Sequence, residues 1–297
     1  MTISTALSIT PAKIKSRQIN DTDVPQVVEL LTRGFAAHRT REFWQNIFAR
    51  LSKRSLPAEL PRYGFVIESD EKPVGVLLMI FSTMWEGGKA KTRCNVSSWY
   101  VEKEFRGYAQ MLVSQALKYK KATVFNVTAS PHTHSMAEIR GFRRSSNGMC
   151  AAIPTLSRSP TAGSVRVIDA RVQPDAPFDQ HDRDLLLEHS EFGCTSLWCV
   201  TPERAYPFVF RPRHVKSILR AQQLVYCSTL DDFVRFARPI GMHFARKLTF
   251  LVLLDSNGPV PGLIGRYYPE KMPRYFHGPD RPRLGDLAYT EISMFGV

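Results

Sequence analysis

The sequence predicts an α/β fold in which a mixed, twisted sheet is flanked by helices, with two such units in tandem along the chain. Short apolar strands alternate with amphipathic helices through most of the chain, and tight turns separate them. A polar segment rich in proline and serine interrupts this pattern near the middle. At 297 residues, the chain is long enough for two domains of ordinary size.

The predicted domains follow from that polar segment and from the start of the chain. Residues 1–12 are expected to be a flexible tail, because they lack the basic start and long apolar stretch of a signal peptide. Residues 13–153 form the first predicted domain, residues 154–164 the linker, and residues 165–297 the second domain. The longest apolar run, at residues 74–81, is too short to cross a bilayer.

The first half begins with a strand at residues 14–19. Asp21 and Asp23 can then cap a helix with one apolar face, and a second helix carries aromatic residues on one side. Two strands around a Ser-Asp-Glu-Lys-Pro turn form a predicted hairpin. The pattern then predicts four more elements. They are a buried strand at residues 96–101, a helix from the next turn to about residue 120, a strand at 123–128 and a helix at 137–142.

The second half has a similar but weaker pattern. It predicts a strand from Val165, a helix at 180–189, a strand at 223–227 and a helix at 230–247 that Pro239 interrupts. An Asp-Ser-Asn-Gly turn predicts a hairpin of residues 248–254 and 262–268, and alternation over 287–295 predicts a final strand. This order is consistent with a degenerate repeat of the first half, and an unrelated α+β domain is the alternative.

A tight basic turn at Arg106 and Gly107 joins the buried strand 96–101 to its helix. A turn of this kind presents backbone N–H groups and the positive end of a helix dipole to one point, which suits a phosphate group. Arg106 adds a fixed positive charge, and the small residues Gly107 and Ala109 let a ligand approach the backbone closely. Taken alone, the turn is equally consistent with an ordinary surface arginine.

This turn resembles the pyrophosphate-binding loop of the GNAT superfamily, a family of acyl-CoA-dependent N-acyltransferases. The family pattern Arg/Gln-x-x-Gly-x-Gly/Ala falls on Arg106, Ala109 and Met111, of which Met111 departs from the small-residue rule. The order of predicted elements over residues 14–150 is also similar to that of the family. The resemblance therefore implies a GNAT-like first domain that binds acyl-CoA and a GNAT-like second domain that shapes the acceptor cleft.

The resemblance extends to a later family motif, Tyr-x-x-x-Gly-Phe, whose end is matched by Gly141 and Phe142. The tyrosine of this motif, which in many members protonates the departing thiolate, is Ala137 here. An asparagine common at the start of the same helix corresponds to Ser130. The cofactor signature is therefore more complete than the catalytic signature.

The resemblance implies a set of residues near the cofactor, with acetyl-CoA as the default donor. Main-chain groups of the strand before the turn would bind the pantetheine arm, and the turn would bind the pyrophosphate. Met111 and the aromatic residues Trp198, Tyr206, Phe208 and Phe210 leave room for a longer acyl group. The implied cofactor-binding residues are Tyr100, Val101, Glu102, Arg106, Gly107, Tyr108, Ala109, Gln110, Met111 and Ser130.

Four residues are candidates for acid or base catalysis. Glu102 lies where the fourth strand of the family diverges from the fifth, although a solvated glutamate is the simpler interpretation. His132 and His134 follow the fifth predicted strand, and histidine titrates where an acid or base is useful; a role in starting the helix is the alternative. In related tandem proteins the terminal carboxylate is the base, which here would be that of Val297. No cysteine or serine lies in a nucleophile motif, so direct transfer is expected.

Charge and cysteine content narrow the remaining possibilities. The net charge of +13 favours polyanions such as CoA, but no Lys/Arg block or nucleic-acid motif accompanies it, so nucleic acid is not the expected partner. Five cysteines without a Cys-x-x-Cys pair predict neither disulfides nor zinc, and a reducing cytoplasm is the default. His132 and His134 lack a third ligand, so no metal is predicted.

The expected activity is therefore transfer of an acyl group from acyl-CoA to a small-molecule or peptide amine. Two alternatives belong to other functional classes. Ala137 in place of the tyrosine is consistent with a CoA-binding sensor without activity. The positive charge, with a basic stretch at residues 204–220, is consistent with a module that binds a polyanion.

Overall fold

The described part of the chain forms two compact units in the computed structural model. Unit 1 comprises residues up to 79 together with 96–119, and unit 2 comprises residues 80–95 and those from 120 onward. The predicted tail at 1–12 lies outside the described residues. The structure describes residues 13–37, 39–86, 89–158, 164–215 and 218–296.

Unit 1 contains the first predicted strands and helices, and two of its strands, β3 and β4, continue into unit 2. Its elements are β1 (Ile14–Gln18), α1 (Val24–Gly34), α2 (Arg41–Ser52), β2 (Gly64–Ser69), β3 (Lys72–Glu86), β4 (Lys89–Val101) and α3 (Ala109–Ala116). The strands β1, β2 and β3 pair antiparallel in that order.

Local chemistry explains why these elements form. The Asn20 side chain accepts hydrogen bonds from the amides of Thr22 and Asp23, which starts the turn before α1. Thr40 caps α2 in the same way. Both helices bury apolar residues at the spacing of one helix face. These buried residues are Val27, Val28, Leu30 and Leu31 in α1, and Trp44, Ile47, Phe48 and Leu51 in α2.

Unit 2 holds the rest of the described strands and helices. They are β5 (Thr123–Asn126), α4 (His134–Ile139), β6 (Arg143–Ala152), β7 (Arg166–Asp169), α5 (Gln180–Glu191), β8 (Thr195–Val200), β9 (Ala205–Val215), β10 (Leu219–Cys227), α6 (Leu230–Ala245), β11 (Leu251–Ser256), β12 (Gly265–His277) and α7 (Glu291–Met294). The strand order from β4 is β4-β5-β12-β6-β11-β10-β9-β8-β7.

The pairing directions follow a repeated pattern. β7, β8, β9 and β10 pair antiparallel in sequence, and β10 then pairs parallel with β11 across the helix α6. In the same way β4 pairs parallel with β5 across α3. The last strands of the two halves are exchanged. β6 of the first half pairs with β11 of the second half, and β12 of the second half pairs with β5 of the first half. A tandem repeat would produce this order, and the repeat hypothesis remains a prediction.

Three predictions of local structure are wrong. Residues 248–254 and 262–268 do not form a hairpin, because β6 lies between β11 and β12 and pairs with both. Residues 287–295 form a turn and the short helix α7 instead of a strand. Almost every side chain there is buried, so their alternation carries no information about a face. Pro239 lies inside α6 and does not interrupt it.

The beginning of the predicted linker packs as part of unit 2. Residues 154–156 form a 3-10 turn, and Pro154 and Ser157 are buried. A Cβ added to Gly241 of α6 would lie 2.5 Å from the Thr155 nitrogen, so the helix and this turn are in close contact. Residues 159–163 of the linker lie outside the described residues. The predicted domain boundaries do not coincide with the two compact units and remain a prediction.

The core of unit 2 is aromatic. Trp198, Phe208 and Phe210 are fully buried, and Phe208 and Phe210 pack against the phenyl rings of α6. Phe208 and Phe210 fill the space between the sheet and α6, and Trp198 packs against Phe178. They therefore do not line a cleft for a longer acyl group, contrary to the expectation from the sequence.

Candidate active site

The predicted phosphate loop of unit 1 is an exposed turn at the start of a helix. Residues Lys103–Tyr108 form a 3-10 turn with no buried residue, and α3 follows directly. No side chain caps either the turn or α3. A Cβ added to Gly107 would meet no atom within 4 Å, so the space beside its backbone is open. An uncapped helix start beside Arg106 provides a positive field and backbone donors for an anion.

The strand before this loop offers its main chain, because its side chains are already packed. A Cβ added to Gly34 would lie 2.5 Å from the Tyr100 ring, which also packs against Phe35. Val101 is 7% exposed and lies against Gly75. This packing is consistent with the main-chain role that the resemblance implies for these two residues.

The end of β4 departs from regular strand geometry. Ser98 has a φ of 53°, in the left-handed region that residues other than glycine seldom adopt. Beyond it, the amide of Glu102 donates to the Val74 carbonyl at 2.9 Å, so pairing with β3 continues to this point. The strand therefore stays joined to β3 beyond Ser98.

Glu102 is engaged in an ion pair. Its carboxylate accepts a hydrogen bond from the Arg33 guanidinium at 2.9 Å, and its side chain is 28% exposed. Both interpretations of Glu102, as a solvated charge and as a base, remain predictions.

In unit 2, β4 and β5 separate shortly after they pair. Their parallel pairing covers Arg93 to Asn95 on β4 and ends at the pair Asn95–Phe125. The Asn95 side chain closes this end by donating from Nδ2 to the Phe125 carbonyl at 3.2 Å.

The segment after β5 carries the other predicted residues. The Ser130 carbonyl accepts hydrogen bonds from the amide and the hydroxyl of Thr133, both at 2.8 Å, and its side chain caps nothing. His132 is exposed. His134 lies within hydrogen-bonding distance of the Ala129 carbonyl, at 3.2 Å, and its ring packs against Tyr275. Both roles proposed for these histidines, catalysis and the helix start, remain open.

The Gly-Phe motif has a clear structural part. Gly141 has a φ of 81°, and the amide of Phe142 donates to the Ala137 carbonyl at 3.0 Å. This is the hydrogen bond that closes a helix end through a left-handed glycine. The motif therefore terminates α4, and Ala137 offers no hydroxyl to a ligand.

Sequence reasoning missed Glu291. This residue is 4% exposed, its carboxylate accepts a hydrogen bond from the Thr128 hydroxyl, and its amide donates to Asn95 Oδ1 at 2.7 Å. It therefore lies at the end of the β4–β5 pairing, in unit 2. No local signal marks it, because Asn95 is 196 residues away in sequence. Val297, the other C-terminal candidate, lies outside the described residues.

In the second half, the chain itself occupies the place beside β10 beyond its pairing with β11. Pairing of β10 with β11 ends at Gln223. Beyond it, the Cys227 amide donates to the Gly285 carbonyl at 2.9 Å, and the Leu287 amide donates to the Val225 carbonyl at 2.7 Å. Residues 285–287 thus take the place beside β10 that an extended ligand would need.

The helix after β10 also differs from α3. The Thr229 side chain accepts from the Asp232 amide at 3.0 Å and so caps α6. Asp231 and Asp232 occupy the first turn of this helix. A capped, acidic helix start does not attract a phosphate group. The second half therefore lacks both features of the predicted loop in unit 1.

The four buried thiols of unit 2 are unsuited to nucleophilic catalysis. Burial raises the pKa of the Cys94, Cys150 and Cys199 thiols, and it raises that of Cys227 to about 12. All the described cysteines are free. Within the described ranges, no group of three or more potential metal-ligand side chains occurs. Among the same residues, no helix is long and apolar enough to cross a bilayer.

Solved structures decide the fold. An N-acetyltransferase related to GCN5 from Anabaena variabilis is similar over 89% of this chain and 72% of its own, with a TM-score of 0.57 and 14% identity. The chain has the GNAT fold. A GCN5-related N-acetyltransferase from Kribbella flavida is similar over 89% of this chain and 71% of its own, with a TM-score of 0.53 and 11% identity.

A third similar structure is Eis1 from Mycobacterium abscessus, over 93% of this chain and 74% of its own, with a TM-score of 0.51 and 12% identity. No protein-family model and no curated protein matches the sequence itself. The likeness therefore covers most of the chain and concerns its GNAT fold. The predicted GNAT-like sheet flanked by helices is confirmed.

Proposed function

We propose that this protein is an acyltransferase that moves an acyl group, by default acetyl, from acyl-CoA to an amine. The observation that carries the proposal is the uncapped, exposed start of α3 beside Arg106 and Gly107, within a GNAT fold. Its backbone donors and positive field suit the pyrophosphate of CoA. The residues proposed to bind the cofactor are the set implied by the resemblance, with Tyr100 and Val101 acting through their main chain.

The proposal includes one acyl-CoA site per chain. In the second half, residues 285–287 pair with β10 where a pantetheine arm would lie, and Thr229 caps the following helix. An extended ligand there would have to displace hydrogen bonds already made within the chain. The intact predicted loop in the first half supports the assignment of the site to that half.

Direct transfer fits the residues. Buried thiols with raised pKa values are not nucleophiles at neutral pH, so no covalent enzyme intermediate is proposed. The departing thiolate needs a proton, and Ala137 cannot supply one. We assign this proton transfer to water or to the amine itself.

A CoA-binding sensor is the second candidate function. The observation that favours it is Ala137, whose carbonyl closes the end of α4 and whose side chain carries no acid. The sensor would bind acyl-CoA through the same loop and transfer nothing. A module that binds polyanions is a third reading, and it predicts salt-dependent binding that survives the loss of Arg106.

The acceptor in this proposal is a small-molecule or peptide amine. The positive net charge of +13 would concentrate anionic CoA and does not by itself select an acceptor. All the described cysteines are free thiols. This is consistent with a reducing cytoplasm, which remains our expectation for the location of the protein.

Thermal unfolding tests the cofactor site. The wild type, Arg106→Glu and Arg220→Glu would be unfolded with acetyl-CoA, longer acyl-CoAs or an adenine nucleotide; Arg220 is exposed on β10 and provides the same charge change elsewhere. Ligand at about 100 times its dissociation constant stabilises the native state by roughly 2.7 kcal/mol. We expect stabilisation of the wild type and Arg220→Glu, and none of Arg106→Glu.

Turnover separates the enzyme from the sensor. Release of free CoA thiol would be measured with spermidine, glucosamine, tyramine and a peptide with a free N-terminus. Transfer to any of these, lost in Arg106→Glu, supports the acyltransferase. Stabilisation by acyl-CoA without transfer supports the sensor, and no stabilisation by any CoA contradicts both.

A further inference from the structure

Large apolar side chains are exposed at one end of the sheet of unit 2, where β6 ends and β11 and β12 begin. All of them lie in the segments that follow β6, close α6, or precede β11 and β12. Their exposed fractions range from 36% for Ile153 to 73% for Leu248. The members of this apolar end are Ile153, Leu156, Met242, Leu248, Phe250 and Ile264.

Backbone contacts bring these segments together. The Ile153 amide donates to the Ile264 carbonyl at 2.8 Å, so the end of β6 and the start of β12 are adjacent. The 3-10 turn at residues 154–156 packs against α6, as described above. β11 begins to pair with β6 at Ala152, so Phe250, which precedes the paired residues, lies beside the same turn. The apolar end is therefore one continuous surface and not a set of scattered positions.

Leu248 is held in a backbone conformation that leucine disfavours. Its φ is 55°, in the left-handed region. Its amide donates to the Ala245 carbonyl at 2.9 Å, and the Thr249 amide donates to the Phe244 carbonyl at 3.1 Å. These two hydrogen bonds form the motif that usually ends a helix through glycine. Leucine here strains the backbone and gains little packing in return, because most of its side chain is exposed.

The same end of unit 2 is basic. Three segments form it, residues 153–158, 242–250 and 260–266, and their sequences contain no aspartate or glutamate. They contain four lysine and arginine side chains, all of them exposed. These are Arg158, Arg246, Lys247 and Arg266. A surface that combines exposed apolar and cationic side chains fits a partner that is both apolar and anionic.

The positive charges are available to such a partner. Arg266 lies over the Tyr268 ring, 5.3 Å from its centroid, and the other three form no ion pair within the part of the chain that the structure describes. Asp169 of β7, whose charge acts on His243 in the last turn of α6, is itself paired with Arg171 at 3.7 Å. The apolar end thus carries a net positive charge.

This charge distinguishes between the possible partners. A symmetric contact with a second copy of the chain would bring the same cationic side chains together, and repulsion between like charges disfavours it. An anionic lipid surface instead presents negative charge over its whole area, and its interfacial region accepts apolar side chains. Charge complementarity therefore favours lipid.

We propose that the apolar end of unit 2 binds an anionic membrane surface, with Leu248 and Phe250 entering the lipid and Arg246 and Lys247 contacting the headgroups. Lipid is the apolar partner that the strained, exposed leucine lacks in solution. The surface lies within unit 2 and requires neither acyl-CoA nor the proposed acyltransferase function.

Sedimentation with lipid vesicles tests the proposal. The wild type would be mixed with vesicles of phosphatidylcholine alone, or of phosphatidylcholine with about 30% phosphatidylserine, at low and at high salt. We expect binding to the anionic vesicles, weaker binding at high salt, and little binding to phosphatidylcholine alone.

Leu248→Asn separates binding from stability. Asparagine adopts the left-handed conformation more readily than leucine, so the melting temperature should rise or stay unchanged. Loss of the inserted leucine should weaken binding to anionic vesicles by about tenfold. Ile139→Asn is the matched control, because Ile139 is 84% exposed but lies in α4, which precedes the other end of β6. This control should bind vesicles as the wild type does.

A double variant tests the charges. Arg246→Gln with Lys247→Gln should weaken binding to anionic vesicles by roughly 25-fold, since each basic residue near such a surface contributes about fivefold. Lys120→Gln with Lys121→Gln is the control, because it removes the same charge from exposed residues before β5, which pairs with the other end of β12. Binding of this control should change by less than about threefold.

Salt-sensitive binding to anionic vesicles that falls in both test variants, while both controls bind, supports the membrane site. No binding of the wild type, or binding that either test variant leaves unchanged, overturns it. Dimers of the wild type in sedimentation equilibrium that are lost in Leu248→Asn, without vesicle binding, assign the surface to a second copy and also overturn the membrane site. Acyl transfer in solution is measured without vesicles, so failure of the proposed function is distinguishable from failure of this site.

Discussion

Asp286 offers the most informative test of how unit 2 is held together. Its carboxylate is 1% exposed and accepts from Arg93 at 2.8 Å, and Arg283 lies 3.3 Å away. The Ala288 amide adds a hydrogen bond at 3.3 Å. The residue belongs to the segment that pairs with β10, so this ion pair joins that segment to β4.

Asp286→Asn should be strongly destabilising. The change keeps the volume but leaves the guanidinium groups of Arg93 and Arg283 without their carboxylate. Breaking a buried pair in this way costs about 3 to 5 kcal/mol. Arg283 is 29% exposed and can regain water, so we expect the lower limit, about 3 kcal/mol. With a urea m-value of about 3 kcal/mol per molar, the midpoint should fall by roughly 1 M.

The pH dependence gives an independent check. Burial by itself would raise the pKa of Asp286, but the charges of Arg93 and Arg283 and the hydrogen bonds more than offset this and lower it. A lowered carboxyl pKa contributes stability that is present above the unfolded-state pKa and is lost as the pH falls through the folded-state pKa. The gap between wild type and Asp286→Asn should therefore shrink below about pH 4.

Urea unfolding at pH 7 and at acid pH, followed by tryptophan fluorescence, measures both effects. Asp280→Asn is the control, because Asp280 and Lys91 form a pair at 3.0 Å that is 41% and 29% exposed. Such a pair contributes at most about 1 kcal/mol. A loss of less than about 1 kcal/mol in Asp286→Asn, or a loss equal to that of the control, would refute the reasoning.

Three further predictions concern packing, burial and capping. Gly34→Ala should destabilise unit 1, because the added Cβ would lie 2.5 Å from the Tyr100 ring. Displacement of Tyr100 should also weaken acetyl-CoA binding, measured by calorimetry. Unchanged affinity would mean that the position of the Tyr100 ring does not affect the cofactor site. Burial raises the pKa of Asp182, although the Tyr226 hydroxyl donates a hydrogen bond to it. Asp182→Asn should therefore raise the melting temperature at pH 7. It should have no effect at low pH, where the Asp182 carboxyl is neutral in both the folded and the unfolded state. A lower melting temperature at pH 7 would contradict this. Thr229→Ala should lower the unfolding free energy by about 1 kcal/mol through loss of the α6 cap, and an unchanged urea midpoint would count against the cap.

The sequence was sufficient where local chemistry decides the structure. The helix faces of α1 and α2 and the strand β2 follow from apolar spacing close together in the chain. The predicted cap of α1 is wrong, because Asn20 caps the preceding turn and Asp23 makes no side-chain cap hydrogen bond to the helix. The turn at Arg106 and Gly107 is likewise local, and in the structure it is exposed and uncapped.

Long-range pairing could not be predicted in the same way. The exchange of β6 and β12 depends on partners far apart in the chain, and the polar start of β6 gives no strand signal. The strands β8 and β9 were missed because their aromatic residues are equally typical of a ligand pocket. Glu291 meets Thr128 across 163 residues, so neither residue marks the other.

The central claim is that one acyl-CoA binds per chain, at the loop of Arg106 in the first half. Calorimetric titration of acetyl-CoA into the wild type and Arg106→Glu tests it most directly. The account predicts a single site in the wild type and roughly 100-fold weaker binding in the variant, as expected for loss of about 2.7 kcal/mol of charge-assisted contacts. Two sites per chain, or unchanged binding in Arg106→Glu, would contradict it.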